Sequence, residues 1–466
     1  MRHSLLCFLL FLSAALSAQK FYFGSDLSYV NEMEDCGARY RENNQIKDVY
    51  EIFTNHKTNL ARFRLWHTPS FYDTLNTGKR YSDFQDVRRS ILRAKAAGMD
   101  VLLDFHLSDF WTDPGRQLMP KAWEPVAGNL PALQDSVYQY ILGVLLSLHN
   151  DQLLPELVQI GNETNKGIVL TPAADAANGP INWSRNAALF NKGIQAVRDV
   201  EAATGKKIRI ALHIANPKDT EWLMPAFWSN GVRDFDIIGL SYYWAWHKPV
   251  TIAQTGEIIT KLKNDYPGKS VMIFETGYIW TLQSNDQAAN IITETHPDYH
   301  PASPQSQRQW LVDLTQEVIN RGGEAVMYWE PAWVSTPCYT VWGQGSHQEH
   351  AAFFGFSNNA MLNGGITWPE HRYEGLPEEE PDTRKLEARF PTGGSTIELE
   401  LSGWTGADTV AIAIFDSLGR RIMERSLSLT NGGTETSLNW NRAATGVYFV
   451  RAAQGNYKAV KKLWIP

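Results

Sequence analysis

Residues 158–167 read VQIGNETNKG, and the fold can be predicted by looking for similar stretches along the chain. A short apolar run, 158–160, breaks off into Gly-Asn-Glu, so that Glu163 stands at the end of a strand that looks buried. An unpaired buried charge is costly, so a carboxylate in this place needs a reason. The rest of the chain must supply either a functional partner for Glu163 or a structural one.

Apolar runs of this kind alternate with helix-like segments about eight times between residues 20 and 335. Several are apolar throughout, which is typical of parallel strands covered on both faces. No glycine-rich phosphate fingerprint follows the first run, which argues against a dinucleotide-binding sheet. Eight β/α repeats therefore predict an α/β fold, a (β/α)8 TIM barrel. The predicted strands are Phe21–Gly24, Leu60–Leu65, Val101–Phe105, Leu157–Ile160, Ile208–His213, Phe235–Leu240, Ser270–Phe274 and Ala325–Trp329.

The segments between these runs carry helix signals. Ser82 with Gln85 predicts a capping box, and Ser303 followed by Pro304 predicts the start of another helix. Gly98 and Gly322 predict the ends of these two helices.

Both ends of the chain differ from the barrel. Arg2 and His3 precede an apolar run and then small residues, which predicts a signal peptide over residues 1–18. We expect the barrel over 19–368, a linker rich in Pro, Glu and Arg over 369–394, and a small antiparallel β-sandwich over 395–466. The tail alternates in period two between Gly and Asn turns, which favours the sandwich.

The amino-acid composition limits the kinds of molecule that the protein is expected to bind. The net charge of -7 is spread along the sequence, which argues against a nucleic-acid partner. The chain has 17 tryptophans, which serve equally well in a core or as platforms for flat ligands such as sugar rings. We expect a monomer that requires no cofactor.

The carboxyl ends of the barrel strands carry the candidate chemistry, because active sites of this fold lie there. Glu163 ends the fourth predicted strand and Glu275 the seventh, so the two acids face each other across one mouth. Two such carboxylates beside aromatic rings favour glycoside hydrolysis, in which one protonates the leaving oxygen and the other attacks or stabilises the sugar. Glu330 is a third acid that competes with Glu275 as the partner or forms a structural salt bridge.

Several longer stretches of sequence indicate one family among the glycoside hydrolases. They are similar to family 53 glycoside hydrolases, the endo-β-1,4-galactanases of clan A, over about residues 21–368. The stretches are RFRLWHTPS (62–70), DFHLSDFWTDPGRQLMPKAW (104–123), IGNETNKGIVL (160–170), FDIIGLSYY (235–243), FETGY (274–278), YWEPAWV (328–334) and AAFFGFSNNAMLNG (351–364).

The resemblance implies a role for each acid. Glu163 would be the general acid/base and Glu275 the nucleophile of a retaining reaction. Asn162 would bind the sugar 2-hydroxyl, and Tyr242 or Tyr243 would orient Glu275. We expect Arg64, at the end of the second strand, to keep Glu275 ionised; the alternative is an ion pair inside the barrel. Further substrate-binding candidates are Asp104, His106, Asp109, Trp111, Trp123 and Trp329.

Two features of the loops qualify the resemblance. Bacterial members carry a structural calcium site after the seventh strand, and here Asp286 and Asn290 match it while Ser284 and Ala288 do not. Calcium prefers six to eight oxygens, so the ion is possible but unsupported by a full ligand set. Cys36 follows the first strand and Cys338 the last, which are neighbours in a closed barrel, so a disulfide between them is a hypothesis.

The tail has a resemblance of its own. The stretches RFPTGGSTIELEL (389–401), VAIAIFDSLGRRI (410–422) and ATGVYFVRAAQGNYKAVKKLWI (444–465) look like the C-terminal sorting domain of type IX secretion cargo. This implies export to the medium or the outer-membrane surface of a Gram-negative bacterium, with the type IX machinery as a partner. The alternative is a carbohydrate-binding sandwich, which the few, scattered aromatics of the tail disfavour.

We therefore expect a secreted endo-β-1,4-galactanase that cleaves the (arabino)galactan side chains of pectin. One alternative is the same chemistry on mannan or xylan, because subsite geometry sets polymer choice. The other is a surface glycan-binding protein without catalysis, which has no need for the Glu163–Glu275 pair.

Overall fold

The structure is a computed structural model, which describes residues 20–377, 384–391, 393–404, 409–416, 420–429, 433–440, 445–454 and 457–466. The predicted signal peptide, residues 1–18, lies outside the described residues. Within these ranges, none of the helices has the length and hydropathy needed to cross a bilayer.

Eight parallel strands close into a barrel, which confirms the predicted TIM-barrel fold. Each predicted strand agrees with an observed one to within two residues at either end. The pairing β8–β1–β2 closes the sheet, so the first and last strands are neighbours. The strands are β1 Tyr22–Asp26, β2 Leu60–Leu65, β3 Asp100–Phe105, β4 Leu157–Ile160, β5 Arg209–Ile214, β6 Ile237–Ser241, β7 Ser270–Thr276 and β8 Ala325–Tyr328.

Helices cover the outside of the barrel. They are α1 Val30–Asp35, α2 Val49–Asn55, α3 Phe84–Ala96, α4 Leu130–Asn150, α5 Pro172–Ala177, α6 Trp183–Thr204, α7 Thr220–Ser229, α8 Trp244–His247, α9 Ile252–Asp265 and α10 Pro304–Asn320. Short 3-10 helices cover Ser70–Thr74, Lys121–Val126, Pro217–Asp219, Pro297–Tyr299 and Gly365–Glu370.

The helix signals are largely confirmed. Ser303 caps α10 by accepting a hydrogen bond from the Ser306 backbone N–H. Gly98 and Gly322 follow their helices in the left-handed region that glycine favours, with φ of 91° and 72°. The capping box at Ser82 is wrong, because Asp83 is the N-cap of α3 and accepts from the Asp86 N–H.

Packing inside the barrel depends on two glycines. A Cβ on Gly24 would lie 2.1 Å from Met327, and a Cβ on Gly239 would lie 2.3 Å from Phe274. Both large side chains belong to the buried cluster that fills the barrel. The strand ends that carry the candidate acids therefore project from a packed interior.

The tail forms a β-sandwich, as predicted. One sheet has the order β9–β10–β13 and the other β12–β11–β14–β15, and both supply side chains to one apolar core. The predicted linker, 369–394, is partly wrong, because β9 lies within it and pairs with β10. The strands are β9 Lys385–Arg389, β10 Thr396–Ser402, β11 Thr409–Asp416, β12 Arg421–Ser428, β13 Gly433–Asn439, β14 Gly446–Gln454 and β15 Tyr457–Ile465.

A disulfide joins Cys36 to Cys338, which confirms that hypothesis. Cys36 is the C-cap of α1, and Cys338 precedes a two-residue hairpin, Tyr339–Thr340 with Gly343–Gln344. The bond spans 302 residues of sequence and ties the loops after β1 and β8 together at the barrel mouth.

Candidate active site

A cleft of about 560 Å³ opens at the carboxyl ends of the strands. This size is typical of a ligand-binding cleft. Its walls combine carboxylates with aromatic rings, and residues from every part of the mouth contribute. They include Asp26, Arg62, Arg64, His106, Trp111, Asp113, Asn162, Glu163, Asn216, Asp219, Tyr243, Trp246, Glu275 and Trp329.

Glu163 and Glu275 meet in this cleft. One carboxylate oxygen of each, together with one ring nitrogen of His213, lie within 4.8 Å of one another. Glu163 follows β4 with φ of 46°, a left-handed conformation that is uncommon outside glycine. Such strain persists where the surroundings enforce it and is concentrated at functional sites.

Glu275 is held in place by two donors. Arg62 Nη1 donates to its Oε1 at 2.8 Å, and the Tyr243 hydroxyl donates to its Oε2 at 3.1 Å. Arg62 is itself fixed, because it also donates to Asp26, Asp104 and Asn162. Both oxygens of Glu275 thus have fixed positions and a cation beside them.

Glu163, in contrast, is hydrogen-bonded by a neutral side chain. Ser241 Oγ, at the end of β6, donates to Glu163 Oε1 at 2.6 Å. The same hydroxyl lies 3.0 Å from His213 Nε2. Burial lowers the pKa of His213 well below its ordinary value, so the ring next to Ser241 is uncharged. The hydrogen-bonding groups around this carboxyl position it without adding a positive charge.

The two carboxyls titrate differently for this reason. Removal from water and, to a smaller extent, the negative charge of Glu275 together raise the pKa of Glu163 to about 8. The pKa of Glu275 rises only to about 7, because the guanidinium of Arg62 opposes the effect of burial. Glu275 therefore loses its proton first, and Glu163 keeps its own.

Arg64 does not contact Glu275, so that prediction is wrong. Its Nη1 donates to Glu330 Oε1 at 2.8 Å, and its guanidinium lies 4.1 Å from the centre of the Trp111 ring. Glu330 is fully buried and also accepts from the Tyr29 N–H. Of the open alternatives, the structure supports an ion pair inside the barrel for both Arg64 and Glu330.

The choice between the two tyrosines is resolved by their hydroxyls. Tyr243 contacts Glu275, whereas the Tyr242 hydroxyl donates to the Val250 carbonyl at 2.8 Å. Tyr242 also stacks on Trp310 beneath the mouth. Asn162 lines the cleft with its amide fixed between Arg62 and the Thr112 carbonyl.

The predicted substrate-binding residues divide into two groups. His106, Trp111 and Trp329 line the cleft. Asp104 is buried and pairs with Arg62. Asp109 accepts from the backbone N–H groups of Thr68 and Lys121, while Trp123 is buried against His67 and Tyr140. These last three are not among the residues that line the cleft, so a role for them in binding substrate stays a prediction.

Arg62, Ser241 and His213 are site residues that were not predicted from the sequence. Arg62 stands two residues before Arg64 in LARFRL, and strand periodicity directs both side chains to the same face. The spacing therefore makes Arg62 as good a candidate as Arg64 for the cation beside Glu275. Ser241 and His213 carry no comparable signal, because single polar residues in buried strands are common.

The possible calcium ligands are not all used by other contacts, because the buried Oδ1 of Asn290 has no hydrogen-bond partner among the described residues, and calcium binding therefore stays a prediction. The two carboxylate oxygens of Asp286 accept from the backbone N–H groups of Ala288 and Ser346, and the Asn290 amide donates to Ser284 Oγ. Among the described residues, the only close group of three or more His, Cys, Asp or Glu side chains is Glu163, His213 and Glu275. Arg62 already supplies positive charge there, which disfavours a metal ion.

Comparison with known proteins agrees with this geometry. The profile of glycosyl hydrolase family 53 matches residues 22–364, and that of a secretion system C-terminal sorting domain matches residues 392–466. The chain is 48% identical over 346 residues to an arabinogalactan endo-β-1,4-galactanase of Cellvibrio japonicus (strain Ueda107), covering 73% of this chain and 89% of the relative. It is 33% identical over 324 residues to an endo-β-1,4-galactanase of Bacillus subtilis (strain 168), covering 67% and 70%.

A solved structure supports the same assignment. The Ignisphaera aggregans GH53 catalytic domain superposes with a TM-score of 0.67 at 29% identity, covering 76% of this chain and 97% of that domain. Since the family profile also extends over far more than half of the sequence, this chain belongs to glycosyl hydrolase family 53.

Proposed function

We propose that this protein is an endo-β-1,4-galactanase that works by a retaining double displacement on (arabino)galactan. The observation that carries the proposal is the approach of the Glu163 and Glu275 carboxylates to within 4.8 Å in an aromatic-lined cleft. Retaining glycosidases hold their two carboxyl groups about 5–5.5 Å apart, whereas inverting enzymes separate them by about 6.5–9.5 Å. The spacing here leaves no room for a water between acid and base.

In the first step the two acids act on one glycosidic bond. A Glu275 oxygen attacks the anomeric carbon while Glu163 transfers its proton to the leaving oxygen. Arg62 and Tyr243 keep the nucleophile ionised and aligned. Asn162, which lines the cleft, would bind the sugar 2-hydroxyl. The bond from the anomeric carbon to the leaving oxygen breaks, and a glycosyl ester of Glu275 forms.

In the second step Glu163 becomes the base. The ester removes the negative charge of Glu275, and that charge is one cause of the raised pKa of Glu163. The pKa of Glu163 therefore falls once the intermediate has formed. Its carboxylate can then take a proton from water as the water attacks the anomeric carbon, and Glu275 is released.

The choice of galactan is supported by the relatives, whose printed activities are galactanase activities. The tail supports secretion or a cell-surface location, because residues 392–466 match a sorting domain. We further propose export through type IX machinery of a Gram-negative bacterium, and a monomer, because one chain supplies all the cleft residues described above.

The test uses the purified protein on β-1,4-galactan, mannan and xylan in parallel. We expect short galacto-oligosaccharides from galactan alone, released first as the β-anomer in proton NMR. Release from mannan or xylan instead would keep the two-glutamate chemistry and overturn the substrate. Binding of galactan without any release would make the protein a glycan-binding protein.

A further inference from the structure

His213 and Ser241 form a closed cycle of hydrogen bonds with Glu163. The Glu163 backbone N–H donates to His213 Nδ1 at 3.3 Å, and His213 Nε2 lies 3.0 Å from Ser241 Oγ. Ser241 Oγ in turn donates to Glu163 Oε1 at 2.6 Å. His213 and Ser241 are both fully buried, so solvent does not compete for these bonds. The cycle therefore connects the backbone of Glu163 to its own carboxyl group.

The neutral state of His213 limits this cycle to two arrangements. Burial lowers the pKa of His213 well below its ordinary value, so one ring nitrogen carries a proton and the other accepts. If Nε2 carries the proton, it donates to Ser241 Oγ, and the Ser241 proton is directed to Glu163 Oε1. If Nδ1 carries the proton, Nε2 must accept from Ser241, and Glu163 would then turn its own acidic proton toward Ser241.

The surroundings of His213 Nδ1 select the first arrangement. Two N–H groups face this nitrogen, the Glu163 backbone N–H and Nε2 of Gln159 at 3.1 Å. The Gln159 amide cannot be reversed, because its Oε1 accepts from Arg62 Nε. Asn162 Oδ1 lies 2.9 Å from Nδ1, but it already accepts from Arg62 Nη2 and Gln159 Nε2. Nδ1 is therefore the acceptor, and Nε2 carries the proton.

This arrangement makes the two carboxyl oxygens of Glu163 different. Oε1 accepts from Ser241 in every step, so the proton of the neutral acid lies on Oε2. Oε2 has no hydrogen-bond partner among the described residues, and the Glu163 side chain lines the cleft. A general acid must present its proton to the oxygen of the leaving group. Oε2 is thus the oxygen that can serve the substrate.

We propose that Ser241 and His213 are positioning residues that keep the catalytic proton of Glu163 on Oε2, facing the glycosidic oxygen. In the first step Oε2 gives this proton to the leaving oxygen as the bond to the anomeric carbon breaks. In the second step Oε2 takes a proton from the water that attacks the anomeric carbon. Ser241 and His213 keep their own protons throughout. This inference rests on the proposed function and deepens it.

The experiment compares two substrates that differ in their need for an acid. β-1,4-Galactopentaose releases a sugar oxygen that requires a proton, whereas 2,4-dinitrophenyl β-1,4-galactobioside releases a phenolate that departs without one. We expect Ser241→Ala to lower kcat/KM for galactopentaose about tenfold, because the acidic proton is no longer confined to Oε2. For the dinitrophenyl substrate, we expect kcat/KM to change less than about twofold, since this constant reports only the first step.

Ser25→Ala is the matched control. Ser25 is a fully buried serine of β1 whose hydroxyl has no hydrogen-bond partner among the described residues, so its replacement should leave both constants unchanged. Equal losses on both substrates in Ser241→Ala would overturn the proposal, because Ser241 would then support the whole site rather than the acid. An unchanged constant for galactopentaose would overturn it as well. Failure of the wild-type protein to cleave galactopentaose would instead contradict the proposed function.

The pH profile gives a readout that a purely structural role would not change. Burial and the charge of Glu275 raise the pKa of Glu163, and the hydrogen bond from Ser241 opposes that rise. The pKa of Glu163 should therefore be higher in Ser241→Ala, so kcat/KM for galactopentaose should fall at a higher pH than in the wild-type protein. A falling limb at the same pH in both proteins would contradict the role of this bond.

The position of the His213 proton can be measured without changing Ser241. Nitrogen-15 NMR of histidine-labelled protein distinguishes an imidazole protonated on Nε2 from one protonated on Nδ1, and His213→Gln assigns the signal. We expect the Nε2 proton. A proton on Nδ1 in the folded wild-type protein would overturn the proposal, because Ser241 would then donate to His213 instead of Glu163.

Discussion

Arg62 and Arg64 stand two residues apart on β2, and each holds a buried glutamate at 2.8 Å. Arg62 pairs with Glu275, whose other oxygen meets Tyr243 beside Glu163. Arg64 pairs with Glu330 and lies under the rings of Tyr29, Trp66 and Trp111. Each cluster contains one arginine–glutamate ion pair, but Arg62 also donates to Asp26 and Asp104. The Arg62 pair faces Glu163 across the cleft and serves catalysis in the proposed mechanism, whereas the Arg64 pair stabilises the interior of the barrel.

Replacing the glutamate of each cluster should give the largest difference in effect between the two clusters. We expect Glu275→Gln to lower galactan hydrolysis roughly 1000-fold or more, because the nucleophile is lost, while galactan binding persists. We expect Glu330→Gln to keep activity within about tenfold but to destabilise the fold by about 3–5 kcal/mol, because Arg64 loses its buried partner. Reducing-end assays and thermal unfolding measure the two effects. Loss of hydrolysis in Glu330→Gln with a normal Tm would reverse the assignment.

The tyrosines after β6 allow a finer comparison. We expect Tyr243→Phe to lower kcat about 10- to 100-fold, because a hydrogen bond to a charged group contributes about 1.5–3 kcal/mol. Tyr242→Phe is the matched control. It removes only the bond to the Val250 carbonyl, so activity should change less than about twofold and stability by about 1 kcal/mol. Similar kcat values for the two variants would show that Tyr243 does not align Glu275.

The pH dependence of kcat/KM should come from the Arg62 cluster alone. Activity requires Glu275 ionised and Glu163 protonated. Given pKa values of about 7 for Glu275 and about 8 for Glu163, kcat/KM should therefore rise with pH through about 7 and fall through about 8. Glu330→Gln should keep this profile.

A titration can test whether the negative charge of Glu275 raises the pKa of Glu163. We expect the pKa of Glu163 to fall in Glu275→Gln, because the nearby negative charge is gone. Carbon-13 NMR titration of glutamate-labelled protein measures it, with Glu163→Gln to assign the signal. An unchanged Glu163 pKa would mean that burial alone sets it.

The disulfide should matter least for catalysis. Replacing Cys36 and Cys338 by serine should lower stability by about 2–4 kcal/mol, because the unfolded chain is no longer constrained. We expect kcat/KM to stay within about twofold, since strand ends rather than this bond position Glu163 and Glu275. Reduced wild-type protein should behave like the double variant. A large loss of activity in both would show that the loop after β8 orders the site.

Much of this molecule could be predicted from sequence because its signals are local. Apolar runs gave the strands, and a carboxylate at the end of such a run identified Glu163 and Glu275. The disulfide followed from barrel closure, which makes β1 and β8 neighbours. In the tail the pattern is weaker, because charged residues interrupt the period-two alternation in the strands Lys385–Arg389, Arg421–Ser428 and Tyr457–Ile465.

The errors about Arg64 and Asp104 have one physical cause, which is that three-dimensional register determines which side chains meet inside a barrel. Arg62 and Arg64 share one face of β2, and sequence spacing does not say which of them reaches across to β7. Asp104 was predicted to bind substrate because it stands near a strand end, and Trp123 because it lies in a stretch that resembles the family. In the structure, Asp104 pairs with Arg62 and Trp123 is buried beside Tyr140. Trp246 lines the cleft but was not predicted to do so. Its exposure and its contact with the Tyr243 ring depend on the fold and leave no signal in the sequence.

In the proposed mechanism Glu275 is the nucleophile and Glu163 the acid/base, and trapping the covalent intermediate would identify the nucleophile. A 2-deoxy-2-fluoro-galactobioside with a dinitrophenyl leaving group forms the ester quickly and releases it slowly. We expect mass spectrometry to show one added galactobiosyl group per protein, located on the peptide that contains Glu275. Labelling of Glu330 or Glu163 would contradict the account.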